Sequence, residues 1–478
     1  MPTTPGCPKI SDADYLARFS EAIDPLGADG ARAEAARCLY CFDAPCIGAC
    51  PTHIDIPSFI RKISTGNLVG SARTILAANP LGATCARVCP VENLCEGACV
   101  RVDMDHAVAI GRLQRHAMDA YQATGKPFFE AGAPAKFDGA RAKAAKGRTP
   151  RVAVVGAGAA SLACAAELRR AGVDVVVFEA RKAAGGLCDY GIVPWRLPRD
   201  VPALEVREIE RAGATVRRGV RVGEDVPAAE LLAEHDAVFL GVGLGRGKKM
   251  GVPGEDARGV IDALEFIERV VKKEFKKLDV GRRVAVIGCG NTAMDAANCA
   301  KKLGCEEVTV YYRRSEAEAP AYPHEIELAK TLGVQFRWLT APVAIRGVKG
   351  RVARATFDTM RLGRPDKSGR RKPAPVPRGR FTVPVDTIIR AVGQEMIEQL
   401  LDEMSVAHKN GRIATDSATA RTSNAKVFAG GDMVNGGLEV VNAVEEGKVA
   451  ARGILAALGL PPPRGSRVVA GALSRRER

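Results

Sequence analysis

The 478-residue sequence lacks any unbroken apolar run of roughly 18 residues, so it offers no segment that would cross a bilayer as a helix. Its first residues, Met1 to Cys7, lack the basic and apolar regions of a secretory leader, which sets the expectation of a cytoplasmic protein with reduced thiols. It also lacks a basic face. The formal net charge is +15, but Arg346 to Arg380 supplies +10 of it and Arg464 to Arg478 supplies +4. A nucleic-acid-binding domain spreads such charge over a surface, so no nucleic-acid partner is expected. The two runs read as a solvated hairpin and a solvated tail, with docking to an acidic partner as the alternative. Finally, the chain beyond Cys164 lacks a redox-active cysteine pair: Cys188 stands alone, and Cys289, Cys299 and Cys305 form no Cys-x-x-Cys. A thiol-disulfide flavoreductase needs such a pair, so these four read as small buried apolar residues.

Cysteine is plentiful elsewhere. Eight of the fourteen lie between Cys38 and Cys99, as Cys38-x2-Cys41-x4-Cys46-x3-Cys50-Pro51 and Cys85-x3-Cys89-Pro90-x4-Cys95-x3-Cys99. Short gaps let turns aim several thiolates at one point, and cubane iron–sulfur clusters are held this way, often with proline after the last cysteine. Four-cysteine zinc sites also use short pairs. A disulfide framework belongs to small secreted domains and fits poorly here. A zinc-stabilised nucleotide-binding scaffold without turnover therefore stays open beside the redox reading.

In chain order, residues 1–37 read as a helical lead-in covering the cluster region, from the spacing of Tyr15, Leu16, Phe19 and Ile23. Two short helices and a turn are predicted between Ile54 and Gly82, another helix from Ile110 towards Tyr121, and a linker over 131–150. Arg151 to Ser161 is then a buried-strand pattern entering a glycine turn and a helix. Gly156 and Gly158 permit close approach of amides to a pyrophosphate, and Ser161 takes the place of a third glycine. The following strand ends in Glu179, whose carboxylate suits a ribose diol. Gly185, Gly186 and Leu187, the segment around Arg196, and the late strand ending Gly430-Gly431-Asp432 complete an expected FAD site.

A second strand, turn and helix contains Gly288, Gly290, Asn291, Thr292 and Ala293. Where the first unit has Glu179, this one has Arg313 and Arg314, and guanidiniums attract a 2′-phosphate that a carboxylate would repel. NADPH is the better fit and NADH the alternative. A strand from Val385 leading to Gly393 closes this insertion. The class is α/β: a helical iron–sulfur domain (1–130), a linker, an FAD domain in two pieces (151–247 and 394–460), an NAD(P)H domain (248–393) and a basic tail (461–478).

The run Cys41 to Ile60, with Asn79-Pro80-Leu81-Gly82, Cys85 and Val88-Cys89-Pro90, resembles the electron-input half of dihydropyrimidine dehydrogenase, and most of all the flavoprotein subunit of the bacterial enzyme. The glutamate synthase small subunit shares this plan. The resemblance implies two [4Fe-4S] clusters bound crosswise, one by Cys38, Cys41, Cys46 and Cys99, the other by Cys50, Cys89, Cys95 and Gln114, leaving Cys85 spare. Spacing alone would have used eight cysteines. The resemblance further implies that NAD(P)H reduces FAD, that electrons leave through the clusters, and that no side chain acts as nucleophile. The acceptor it implies is a separate oxidoreductase subunit containing FMN, because no pyrimidine-reducing barrel is present in this sequence. An amidotransferase-bearing glutamate synthase subunit is the alternative.

Overall fold

Two blocks of alternating strand and helix dominate the chain, and each begins where a run of β-branched residues meets a glycine turn. The computed structural model describes residues 10–130, 132–134, 136, 147–366, 369 and 371–463. Most of the expected linker 131–150, and the tail beyond 463, fall outside the described residues. Among the described residues no helix is long and apolar enough to cross a membrane. The chain divides into two units, one of 22–189, 196–245 and 396–478, the other of 1–21, 190–195 and 246–395.

In the first unit, β1 (Arg151–Val155), β2 (Asp174–Glu179), β3 (Thr215–Arg218), β4 (Ala237–Leu240) and a late strand Val427–Ala429 form one parallel sheet. The late strand pairs with β4, which pairs with β1, then β2 and β3. Val152, Val154, Val175 and Val177 are buried on one face against the helices Ala159–Arg170 and Val440–Leu458. Val155, Val176, Phe178 and Leu240 are buried on the other face. A sheet covered on both faces explains why these strands read as continuous apolar runs rather than alternating ones.

The cysteine region of the same unit is helical. Helices Ile56–Ser64, Leu68–Ala78 and Ile110–Gln122 match the sequence reading. Asp55 caps the first by accepting from Ser58 N at 3.3 Å, and Pro57 sits in its opening turn, where it costs no hydrogen bond. Phe59, Ile60, Ile63, Ile75 and Leu113 form the apolar interior among these helices.

The second unit has β5 (Val260–Asp262), β6 (Arg283–Ile287), β7 (Glu307–Tyr311), β8 (Gln335–Arg337), β9 (Thr340–Val348), β10 (Arg351–Pro365), β11 (Arg371–Pro384) and β12 (Thr387–Arg390). Its parallel sheet runs β5, β12, β6, β7, β8, and β9 to β11 form a separate antiparallel sheet. The basic stretch is thus a three-stranded antiparallel sheet whose β10–β11 hairpin carries most of the charge.

The lead-in departs from expectation. It is broken into helices Asp12–Phe19 and Ala28–Ala36, and the first belongs to the second unit rather than to the cysteine region. Tyr15 stacks on Phe19 at 4.7 Å between ring centroids, Phe19 meets Trp195 at 5.6 Å, and Tyr15 meets Phe275 at 5.5 Å. Arg18 and Lys302 donate to each other's carbonyls at 3.2 and 2.7 Å. Of the expected stripe only Tyr15 and Phe19 are buried, while Leu16 and Ile23 are exposed, and helical spacing does not say which surface covers the buried pair.

Candidate iron–sulfur and dinucleotide sites

Cys38 follows the helix Ala28–Ala36, Cys46 lies in the helix Pro45–Ala49, and Cys99 precedes the 3-10 turn Val100–Asp103. With Cys41 these four line one pocket, walled by Ile56, Ile60, Val108 and Ile110. Sequence order would have grouped Cys50 with the first three; the fold brings Cys99 instead. Burial first, then the charges of Cys38 and Cys99, push the Cys46 thiol up to about 12. Burial likewise raises Cys38. Such a pocket penalises lone thiolates, and a positively charged iron core held by these four would supply the missing compensation. Among the described residues no group of three or more His, Cys, Asp or Glu is arranged around a single ion. A cubane is wider than an ion and takes its sulfurs around a pocket, as these four stand.

Cys50, Cys89 and Cys95 form the second gathering. A hydrogen bond with Cys85, followed by burial and the charges of Cys85, Cys50 and Cys95, raises the Cys89 thiol. Burial, then Cys50, raises Cys95. Cys50 Sγ also lies 3.4 Å from Thr52 Oγ1. Gln114 is only 7% exposed, and its Nε2 donates to Gly82 O at 2.8 Å, so it is not the solvent-facing glutamine that a helix position would suggest.

At the first dinucleotide motif Gly186 has φ of +57°, and a Cβ built there would stand 2.7 Å from the Gly158 Cα. The two loops approach so closely that only glycine fits, which leaves a bare backbone cradle of the kind a pyrophosphate needs. Glu179, at the end of β2, accepts from Ala157 N and Arg181 N at 2.8 Å each, which fixes its carboxylate beside the glycine turn. Gly156 N donates to Phe178 O at 2.8 Å. Ser161 is buried on the helix Ala159–Arg170, and its Oγ is 3.4 Å from Gly241 O. Leu187 begins the short helix Leu187–Tyr190, and Arg196 is half-buried. Gly431 N donates to Glu446 Oε2 at 2.6 Å, while burial raises the pKa of Asp432. Glu446 also accepts from Asn435 at 3.1 Å. Nothing in its sequence neighbourhood singled it out, since it sits inside an ordinary long helix.

At the second motif Gly288 has φ of +125°, and a Cβ there would meet Ala391 O at 2.2 Å. Gly290 precedes the helix Asn291–Lys302, whose Ala293 is buried and Thr292 exposed. Asn291 Oδ1 accepts from Tyr322 N at 3.0 Å, which ties the helix start to the segment after β7. Gly393 O accepts from Lys248 N at 2.8 Å, closing the entry and exit of the insertion. Arg313 is exposed beyond β7, and Arg314 Nε donates to Arg371 O at 3.1 Å.

These features define an oxidoreductase with two dinucleotide-binding folds and an iron–sulfur domain. Residues 150–447 match the pyridine nucleotide-disulphide oxidoreductase family, and residues 16–126 match dihydropyrimidine dehydrogenase domain II, 4Fe-4S cluster. The chain belongs to the pyridine nucleotide-disulphide oxidoreductase family, and its cofactors are FAD, a pyridine nucleotide and 4Fe-4S iron–sulfur centres. It is 36% identical over 453 residues to the glutamate synthase [NADPH] small chain of Halomonas elongata, covering 92% of this chain and 93% of that one. It is 36% identical over 441 residues to the NAD-dependent dihydropyrimidine dehydrogenase subunit PreT of Escherichia coli O157:H7, covering 92% and 97%. It is 38% identical over 419 residues to the NADP(+)-dependent formate dehydrogenase subunit beta of Moorella thermoacetica, covering 85% of this chain but 59% of that longer one.

Proposed function

We propose that the chain is the electron-input subunit of a larger oxidoreductase, oxidising NADPH and passing electrons through FAD and two [4Fe-4S] clusters to a separate catalytic subunit. The observation that carries this reading is the crosswise gathering of Cys99 with Cys38, Cys41 and Cys46, and of Cys50 with Cys89 and Cys95, in the unit that also carries the Gly158–Gly186 cradle. A bound FAD accepts two electrons as hydride and releases them singly, which suits a nicotinamide donor and one-electron clusters. The residues of the chain bind and orient. Gly156, Gly158 and Gly186 would leave room for the flavin pyrophosphate, Glu179 would hold a ribose, and Gly431 and Asp432 would face the rest of the cofactor. Gly288 to Ala293 would bind the nicotinamide nucleotide, with Arg313 and Arg314 selecting its 2′-phosphate.

In the cluster region Cys38, Cys41, Cys46 and Cys99 would hold one cubane. Cys50, Cys89 and Cys95 would hold the other, with the Gln114 carbonyl oxygen as fourth ligand, its amide nitrogen being engaged with Gly82. The resulting parts are a helical iron–sulfur domain, a two-piece FAD domain and an inserted NADPH domain, in a protein of the cytoplasm. Pyrimidine reduction by an FMN-containing partner is the preferred terminal reaction. Glutamate synthesis with an amidotransferase-bearing partner is the second reading, favoured by the equally broad match to a glutamate synthase small chain.

The test is reconstitution. The purified chain with NADPH is expected to reduce an artificial dye but neither uracil nor 2-oxoglutarate plus glutamine, and an FMN barrel subunit from the same source is expected to confer uracil reduction. Steady pyrimidine turnover by the chain alone would overturn the division of labour. Activity restored only by an amidotransferase subunit would replace the preferred partner with the second.

A further inference from the structure

One end of the basic stretch 346–380 reaches the nucleotide motif. The segment after β7 is laced to β9 by Thr340 N donating to Tyr312 O at 2.8 Å and Leu339 N donating to Arg314 O at 2.9 Å. From β11, the Arg371 carbonyl accepts Arg314 Nε at 3.1 Å, while Arg371 lies opposite Pro365 in the β10–β11 register. The backbone of Arg371 is therefore held on one side by its own hairpin and on the other by one of the two arginines that follow β7. Its side chain is 53% exposed, and its Nε stands 3.9 Å from Glu318 Oε1, the outer limit of an ion pair. Glu318 is itself occupied, since Ser315 donates to it through both N and Oγ, and these bonds hold its carboxyl below the usual carboxylate range. An exposed pair at that separation contributes little, and a doubly charged phosphate offers a guanidinium a far better, bidentate partner.

We propose that Arg371 is a specificity-determining residue for the nucleotide: the β10–β11 hairpin delivers a third guanidinium beside Arg313 and Arg314, and together they take the 2′-phosphate of NADPH. The positive charge at this end of the hairpin is cofactor-selecting rather than a docking surface for a macromolecule. Glu318 opposes it, holding Arg371 when no phosphate is present. The proposal rests on the reading that this motif prefers a 2′-phosphorylated nucleotide.

The experiment is isothermal titration of the full chain with NADP+ and with NAD+. Arg371→Ala keeps the carbonyl that Arg314 uses, and should raise the Kd for NADP+ about tenfold while leaving that for NAD+ within about twofold. Glu318→Gln should tighten NADP+ about threefold by freeing Arg371. A control, Arg346→Ala/Arg354→Ala, removes two charges from the other end of the same sheet and should change neither. Equal effects on both nucleotides in Arg371→Ala, or an equal loss of NADP+ in the control, would overturn the role of Arg371. Wild-type protein that binds NAD+ as tightly as NADP+ would strike the underlying nucleotide reading as well. Wild-type preference for NADP+ that survives unchanged in Arg371→Ala would strike the role of Arg371 alone.

Discussion

Glu205 and Thr84, 121 residues apart in sequence, are joined twice: Glu205 Oε1 accepts the Thr84 amide at 3.0 Å, and Oε2 accepts the Thr84 hydroxyl. Glu205 Oε1 also accepts Ala83 N at 2.9 Å. The carboxylate thus satisfies free amides at the start of the helix Gly82–Val88, which leads directly into Cys89. It links the helix Asp200–Arg211 to the cysteine region within one unit. Glu205 is only 2% exposed.

That burial has a pH signature. Desolvation, opposed by the bonds from Thr84 and Ala83, pushes the Glu205 carboxyl up to about 7 from an ordinary value near 4.5. Between those values the folded chain holds a proton that the unfolded chain has released, so stability falls as pH rises through this window and the burden is fully present above it. Glu205→Gln should flatten that fall in apparent melting temperature, while lowering stability overall by roughly 1–3 kcal/mol because an amide NH2 faces the donors of Ala83 and Thr84. Parallel pH profiles for the two proteins would remove Glu205 as the titrating group.

A second contact ties the helix Val440–Leu458 to the cysteine region: Lys448 Nζ lies 3.5 Å from Thr52 O, two residues beyond Cys50, and 2.7 Å from Glu445. Lys448 is buried. If Cys50 holds a cluster as proposed, a cation beside the backbone two residues on would favour the reduced, more negative cluster. Lys448→Met should lower the potential of the Cys50 cluster on the order of tens of millivolts, read by EPR-monitored redox titration, and leave the other cluster in place. An unchanged potential would show that Glu445 cancels the charge.

The ligand set is open to direct counting. Cys85→Ala should retain about eight irons per chain, as two cubanes require, because in the proposed ligand set Cys85 is a neighbour of Cys89 rather than a ligand. Gln114→Cys should retain both clusters and lower the potential of one, since a thiolate adds negative charge. Loss of a cluster in Cys85→Ala together with an indifferent Gln114→Ala would mean that eight cysteines do the binding.

Nucleotide choice gives the fourth prediction. Replacing Arg313 and Arg314 together by glutamine should weaken NADPH far more than NADH, at roughly 1.5–3 kcal/mol for each charge-assisted bond lost. Measured by stopped-flow flavin reduction over a range of nucleotide concentrations, equal losses for the two donors would mean that the arginines serve the adenine or the fold.

What could be read in advance follows the range of the interactions. Both glycine motifs were legible because strand, turn and helix are adjacent in sequence, and the tight approaches at Gly186 and Gly288 permit no side chain. The interruption of one sheet by another was legible because Val427–Ala429 is too far along the chain to belong to the insertion, and it pairs with β4. Glu205, Glu446 and Lys448 were invisible, since each lies at an ordinary helical position and acquires its importance from a residue distant in sequence. The same holds for the helix Asp12–Phe19, whose apolar stripe met Trp195 and Phe275 rather than the cysteine region. Gln114 came from family resemblance, and only the fold reveals that it is buried. The basic hairpin announced its charge but not that Arg371 would reach Arg314.

In the proposed scheme this chain carries electrons from a pyridine nucleotide to its iron–sulfur clusters by way of the flavin. The most direct measurement is an anaerobic titration of the purified, iron-replete chain with NADPH, following flavin absorbance and the EPR signal of reduced [4Fe-4S] clusters together. The flavin is expected to bleach and a cluster signal to grow in the same titration, with Gly186→Ala losing both because it cannot hold the flavin. Bleaching of the flavin with clusters that stay oxidised throughout, although dithionite reduces them, would contradict this scheme.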